Sequence, residues 1–219
     1  MADFASEREA MVERQLKRRG ISEKAILNAF RQVPREAFIG DEYAHLAYGD
    51  HPLPIEAGQT ISQPYVVGLM IQAAGIGPSD KVLEVGAGSG YAAAVISRIA
   101  SRVIGIERQH DLVEVARKRL TELGYDNVEI VEGDGTKGCP DLAPFDAILA
   151  AASGSHVPRQ LVQQLAPRGI IVMPVGDPGS LQKLVQVKKL GDGTLQHSDL
   201  GGVRFVPLIG EEGWSDDRG

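Results

Sequence analysis

Lys81-Val82-Leu83-Glu84-Val85-Gly86-Ala87-Gly88-Ser89-Gly90-Tyr91 is the stretch that decides the fold of this chain. It begins as the apolar run of a buried strand, passes through three glycines at alternate positions, and enters the helix-forming residues 92–96. Strand, tight turn and helix in that order bring the strand's carboxyl end to the helix's amino end. Glycine suits such a junction because a side chain would keep the backbone N–H groups from a ligand. The glycines read G-x-G-x-G, one residue shorter than the dinucleotide fingerprint G-x-G-x-x-G, and Glu84 stands two residues ahead of them.

Two further strands end in acids. Residues 102–107 close on Glu107, and an acid at the tip of a second strand can accept hydrogen bonds from both hydroxyls of a ribose. Residues 128–132 lead into Gly133-Asp134-Gly135. The shortened glycine loop resembles the S-adenosylmethionine loop of the Rossmann-like methyltransferases. That resemblance implies that Glu84, Gly86, Gly88, Gly90, Glu107, Asp134 and Gly135 hold the cofactor, with Asp134 at the adenine amino group.

Composition narrows the field. The chain has 219 residues and ordinary apolar and charged fractions, enough for one well-buried α/β domain. No apolar run approaches the roughly 20 residues of a membrane span, and the first residues lack a signal peptide's basic and apolar regions, so a cytoplasmic protein without membrane contact is expected. Cys139 is the single cysteine, which excludes an intrachain disulfide and a cysteine-cluster metal site. The net charge of −6 disfavours a nucleic-acid footprint. The histidines at 45, 51, 110, 156 and 197 lack metal-ligand spacing, so no metal is expected. Monomer is the default expectation.

In chain order, residues 7–19 have helical periodicity with Gly20 as a stop, and Ser22 stands as the N-cap of a second helix ended by Pro34. Residues 38–64 are irregular but rich in proline and apolar side chains, the texture of a functional wall over a site. Pro64 then opens a helix closed by Gly75. Beyond the glycine loop, Asp111 reads as the cap of a crossover helix, residues 145–150 as a fourth strand, 157–165 as a helix and 169–175 as a fifth strand. Residues 181–199 form a hairpin about Gly191-Asp192-Gly193, and 203–208 a last strand. This divides the chain into an N-terminal helical extension and lid (residues 1–80), a Rossmann-like α/β core with a mostly parallel sheet and helices on both faces (81–210), and a loose polar tail (211–219).

Gly58-Gln59-Thr60-Ile61-Ser62-Gln63-Pro64, ahead of the glycine loop, resembles the protein-L-isoaspartate O-methyltransferase family. Val33-Pro34-Arg35-Glu36-Ala37-Phe38, Pro52-Leu53-Pro54-Ile55, Ala143-Pro144-Phe145-Asp146-Ala147-Ile148, Gln164-Leu165-Ala166-Pro167-Arg168-Gly169, Met173-Pro174-Val175-Gly176 and Val203-Arg204-Phe205-Val206-Pro207-Leu208 add to it, so that it spans residues 11–208. The chain departs from the family at Cys139, where Trp is common, and in residues 149–156, where Thr-Ala-Ala is usual. Both departures are expected to touch the walls of the site.

The resemblance implies methyl transfer from S-adenosyl-L-methionine to the free α-carboxylate of an L-isoaspartyl residue in damaged proteins and peptides, leaving S-adenosyl-L-homocysteine. The methyl ester then closes to a succinimide, whose hydrolysis returns some aspartate. A carboxylate with a pKa near ~3.5 is already ionised at neutral pH, so no strong general base is needed. That accords with the lack of a Ser-His-Asp set. Ser62 is the candidate catalytic residue, through its hydroxyl or its N–H, and a helix N-cap is the alternative role for it. Thr60 and Ile61 would line the cofactor. Ser62, Gln63, Phe205 and Val206 would contact the substrate, the backbone of the last strand being either open to an extended peptide or that of an ordinary core strand. A methyltransferase acting on RNA or a small molecule, and a cofactor-binding module without catalysis, are the competing readings.

Overall fold

The computed structural model describes residues 3–215. Its main sheet has seven strands: β3 (Lys81–Val85), β4 (Arg102–Glu107), β5 (Val128–Glu132), β6 (Phe145–Ala150), β7 (Leu165–Val175), β8 (Gln182–Lys189) and β9 (Leu195–Val203), in the spatial order β5-β4-β3-β6-β7-β8-β9. Pairing is parallel from β5 through β7 and antiparallel from β7 to β9. The chain runs outward from β3 to β5 and then returns to place β6 on β3's other side. That reversal opens a crevice at the carboxyl ends of β3 and β6, where open α/β sheets bind ligands.

Alternate residues of the central strands bury on opposite faces. Val82 and Val103 join one apolar cluster, Leu83 and Ile104 the other. The first face is covered by α3 (Pro64–Ala74), α4 (Tyr91–Ser97), α5 (His110–Glu122) and the N-terminal helices, and Met11, Leu16 and Phe30 belong to the same buried cluster as Val82. The second face is thinner: α6 (Arg159–Gln163) and the chain after β9 cover it through Leu161 and Leu208.

The N-terminal segment starts as α1 (Phe4–Met11), passes through a π turn at Val12–Leu16 and a tighter turn at Lys17–Arg19, and stops at Gly20, whose φ of +96° is left-handed. Residues 38–63 hold short 3-10 turns and a two-stranded hairpin, β1 (Leu53–Pro54) against β2 (Thr60–Ile61), lying over the glycine loop. Arg35 anchors the extension. Its fully buried guanidinium donates to the Ala47 carbonyl at 2.8 Å and lies 4.9 Å from the ring of Tyr91, the first residue of α4.

Four local expectations change. Ser22 caps nothing: α2 (Lys24–Gln32) starts after Glu23, and the Ser22 N–H donates to Gln72 instead. Asp111 lies in the first turn of α5 rather than at its cap. The helix expected over 157–165 is only α6, because Leu165 already pairs with Phe145 in the sheet. Residues 204–208 make no strand. β9 ends at Val203, and the chain crosses back to form a single bridge between Pro207 and Ser153.

The stretch expected as a loose tail divides. Trp214 is buried and donates its indole N–H to the Ser153 carbonyl at 2.8 Å, while the Glu211 N–H meets Asp134 at 2.9 Å. Burying one large ring and satisfying those groups orders this segment despite its polar composition. Residues 216–219 lie outside the described part. Among the described residues, no helix is long and apolar enough to cross a membrane.

Candidate active site

Gly86, Gly88 and Gly90 all have positive φ, at 82°, 53° and 87°, a backbone course that only glycine follows without strain. Close approach adds a second reason at Gly88, where a Cβ would come within 3.3 Å of Ile55 in the β1–β2 hairpin. Glu107 holds the loop from below. One of its carboxylate oxygens accepts the Gly88 N–H at 3.0 Å, and the other accepts those of Arg108 and Gln109 at 2.8 and 3.0 Å.

Glu84 is buried beneath the same loop. Burial, reinforced by the nearby Glu107 carboxylate, pushes its pKa up to about 8, and its Oε2 has no partner in the protein. A buried oxygen left unpaired is costly, so it is a polar group in want of a hydrogen-bond partner. It faces a small cavity of about 50 Å³ bordered by Thr60, Ile61, Ser62, Gly86, Gly88 and Ala151.

A second cavity, of about 340 Å³, lies on the β4 side. Gln59, Gly88, Glu107, Arg108, Gln109 and Gly135 border it, together with residues 206–209. Asp134 itself does not border it. The Asp134 carboxylate takes the N–H and hydroxyl of Thr136 at 2.9 and 2.7 Å and the N–H of Glu211 at 2.9 Å. Burial would raise its pKa, but the donors at Glu211 and Thr136 outweigh that and keep it below the ordinary carboxylate value. Asp134 thus ties the turn after β5 to the C-terminal segment, and Gly135 supplies the wall.

The third and largest cavity is an open cleft of about 710 Å³ between the hairpin, the start of α3 and residues 202–207. Thr60 and Ala151 border all three cavities, and Ser62 borders both the small cavity and the cleft. Ser62 is half-buried and does not cap α3, since Gln63 stands at the cap position and binds the first turn through its carbonyl. The Gln63 side chain borders the cleft but donates to the Asp50 carbonyl at 3.0 Å.

The residues proposed as an open peptide-binding backbone are differently engaged. The carboxamide of the buried Gln182 accepts the Phe205 N–H at 2.8 Å and donates to the Phe205 carbonyl at 3.3 Å, and the Val206 carbonyl accepts from Ser153 at 2.8 Å. Phe205 therefore has its own N–H and C=O occupied within the fold, and Arg204 to Pro207 reach the cleft as its wall. Cys139 borders none of the three cavities: its N–H meets Gln164 at 2.8 Å, and burial raises its thiol to about 11. Of the two departures noted in the sequence, only residues 149–156 touch the site, through Leu149, Ala151 and Ala152.

Several wall residues escaped the sequence reading. Gln59 and Arg204 sit inside recognisable motifs and were legible as neighbours of named residues. Arg19 carries no local signal, and neither does Gln182, which borders no cavity but holds the wall through Phe205. Among the described residues, no cluster of three or more His, Cys, Asp or Glu is placed to hold a metal ion.

Comparison with known proteins identifies relatives of this chain. The family described as protein-L-isoaspartate(D-aspartate) O-methyltransferase matches residues 6–213. A protein-L-isoaspartate O-methyltransferase of Pelobacter propionicus is 53% identical over 207 residues, covering 94% of this chain and 92% of the relative. One of Koribacter versatilis is 49% identical over 218 residues, covering 100% and 97%. A solved protein-L-isoaspartate O-methyltransferase superposes with a TM-score of 0.85 at 31% identity, over 94% of this chain and 66% of that longer one. A Plasmodium falciparum protein described as a beta-aspartate methyltransferase, solved with S-adenosyl-L-homocysteine, gives 0.76 at 29% identity, over 92% and 98%.

Proposed function

We infer the working of this site from the family to which the chain belongs, the protein-L-isoaspartate(D-aspartate) O-methyltransferases. The protein is an S-adenosylmethionine-dependent methyltransferase of protein repair, acting on isoaspartyl residues. What carries the assignment of parts is the shared wall of Thr60, Ser62 and Ala151, which puts a peptide-sized cleft against the cavities of the glycine loop.

The residues present fit the cofactor. The unpaired Oε2 of Glu84 offers a hydrogen-bonding group inside the small cavity, and the Glu107 carboxylate borders the larger one, where ribose hydroxyls would find it. Gly86, Gly88 and Gly135 leave the walls without side chains. Thr60 and Ile61 close the hairpin side. S-adenosylmethionine supplies a methyl group that is already electrophilic at its sulfonium carbon.

The remaining task falls to placement. An isoaspartyl α-carboxylate is ionised at neutral pH, so Ser62 orients it by donating from its hydroxyl or N–H rather than by removing a proton. Holding the carboxylate against the cofactor cavity converts an encounter of two molecules into a step within one complex. The apolar surfaces of Ile61, Leu149 and Ala151 keep water from the joint. S-adenosyl-L-homocysteine is the product that leaves, and no metal takes part in this reading.

The direct test uses two synthetic peptides that differ only in an isoaspartyl or a normal aspartyl linkage, with labelled S-adenosylmethionine. Base-labile label on the isoaspartyl peptide alone is the expected result. Label on both, or on neither, contradicts the assignment.

A further inference from the structure

The side chains bordering the large cleft include two arginines, Arg19 and Arg204, and no acid, in a chain whose net charge is −6. The two cations are not equivalent. Arg19 lies over the Tyr65 ring, 3.5 Å from its centroid, and is paired with Asp50 at 2.6 Å, so much of its charge is already answered. Arg204 is exposed and carries no such ion pair among the described residues. Its backbone position is set by the next residue, since Gln182 grips both the N–H and the C=O of Phe205. The result is a held backbone that carries an exposed cationic side chain on the cleft that Ser62 also borders.

A substrate peptide here brings the α-carboxylate to Ser62, and its neighbouring side chains must lie along the remaining wall. We propose that the cleft favours isoaspartyl sites flanked by an acidic side chain, with Arg204 as the principal reader and Arg19 as a weaker one. This rests on the functional reading above and adds a substrate preference to it. The Coulomb attraction of an exposed pair is modest and screened by salt, so the effect belongs in KM and fades at high ionic strength.

The test compares isoaspartyl peptides that carry Glu, Gln or Lys at one flanking position, scanned over two residues on each side. KM and kcat are measured for the wild type, Arg204→Gln, Arg204→Lys and Arg19→Gln, at low and high salt. At one position or more the wild type should show a KM for the Glu peptide about three- to fivefold below that of the Gln peptide, with Lys above both. Arg204→Gln should bring that ratio to one, Arg204→Lys should restore most of it, and Arg19→Gln should narrow it less. Equal KM values at every position in the wild type, or a ratio that survives Arg204→Gln, would overturn the proposal. An equal rise in KM for all three peptides in Arg204→Gln would also overturn it, by making this arginine a general carboxylate binder. Absence of turnover on the Gln peptide, with cofactor binding intact, would strike the functional reading and this preference together.

Discussion

Arg119 grips Glu56 with two nitrogens, at 2.7 and 3.3 Å, and so fastens the turn of the β1–β2 hairpin to the helix behind the glycine loop. The same turn carries Ala57 in the left-handed region at φ 54°, and Ile55 packs over Gly88. Removing the clasp should loosen the hairpin without unfolding the core. Glu56→Gln is expected to weaken cofactor binding about two- to fivefold while changing global stability by less than about 1 kcal/mol, the scale of a partly exposed ion pair. Calorimetry with S-adenosyl-L-homocysteine and a thermal melt check the two halves; unchanged affinity would show that the clasp does not govern the site.

Glu84 makes a pH prediction. Its folded-state pKa of about 8 stands above the ordinary 4.5 because of burial and the Glu107 carboxylate. The folded protein therefore keeps a proton that the unfolded chain gives up. The stability from that neutral carboxyl is present in full below the ordinary carboxylate range and is lost as pH rises towards 8. Without cofactor, Glu84→Gln should melt above the wild type at pH 8, and the gap should close by pH 5. Parallel melting curves across that range would contradict a neutral Glu84.

Glu107 and Ser62 should separate binding from turnover. Glu107→Ala deprives three backbone N–H groups of their acceptor and removes the carboxylate from the cavity wall. Cofactor affinity is expected to fall at least about tenfold. Ser62→Ala leaves the loop intact and removes a donor to a charged acceptor, so kcat should drop about ten- to a hundredfold with cofactor affinity nearly kept. Calorimetry in which Ser62→Ala abolishes cofactor binding would overturn the division.

Trp214 should behave as a core residue. It is 9% exposed, and its indole bonds to Ser153, beside the bridge that positions Pro207. Trp214→Ala is expected to cost about 3 kcal/mol and to weaken cofactor binding, because residues 206–209 form one wall of the larger cavity. A melting temperature equal to the wild type would return this segment to the status of a loose tail.

The strand, turn and helix at residues 81–97, the acids at the strand tips and the motif around Ser62 are legible in the amino-acid order alone. In each, the signal is local: a short continuous apolar run marks a strand buried on both faces, and glycine marks a turn that other residues resist. What those residues meet depends on how distant segments pack. Glu56 finds Arg119 from 63 positions away, and Asp134 finds the Glu211 N–H from 77. The same holds for Gln182 occupying the backbone of Phe205, for residues 204–208 crossing the sheet end instead of extending it, and for the burial of Trp214. Such pairings follow from closing one core around distant segments, where each buried polar group takes whichever partner the packing brings within reach, and no window of sequence contains both partners.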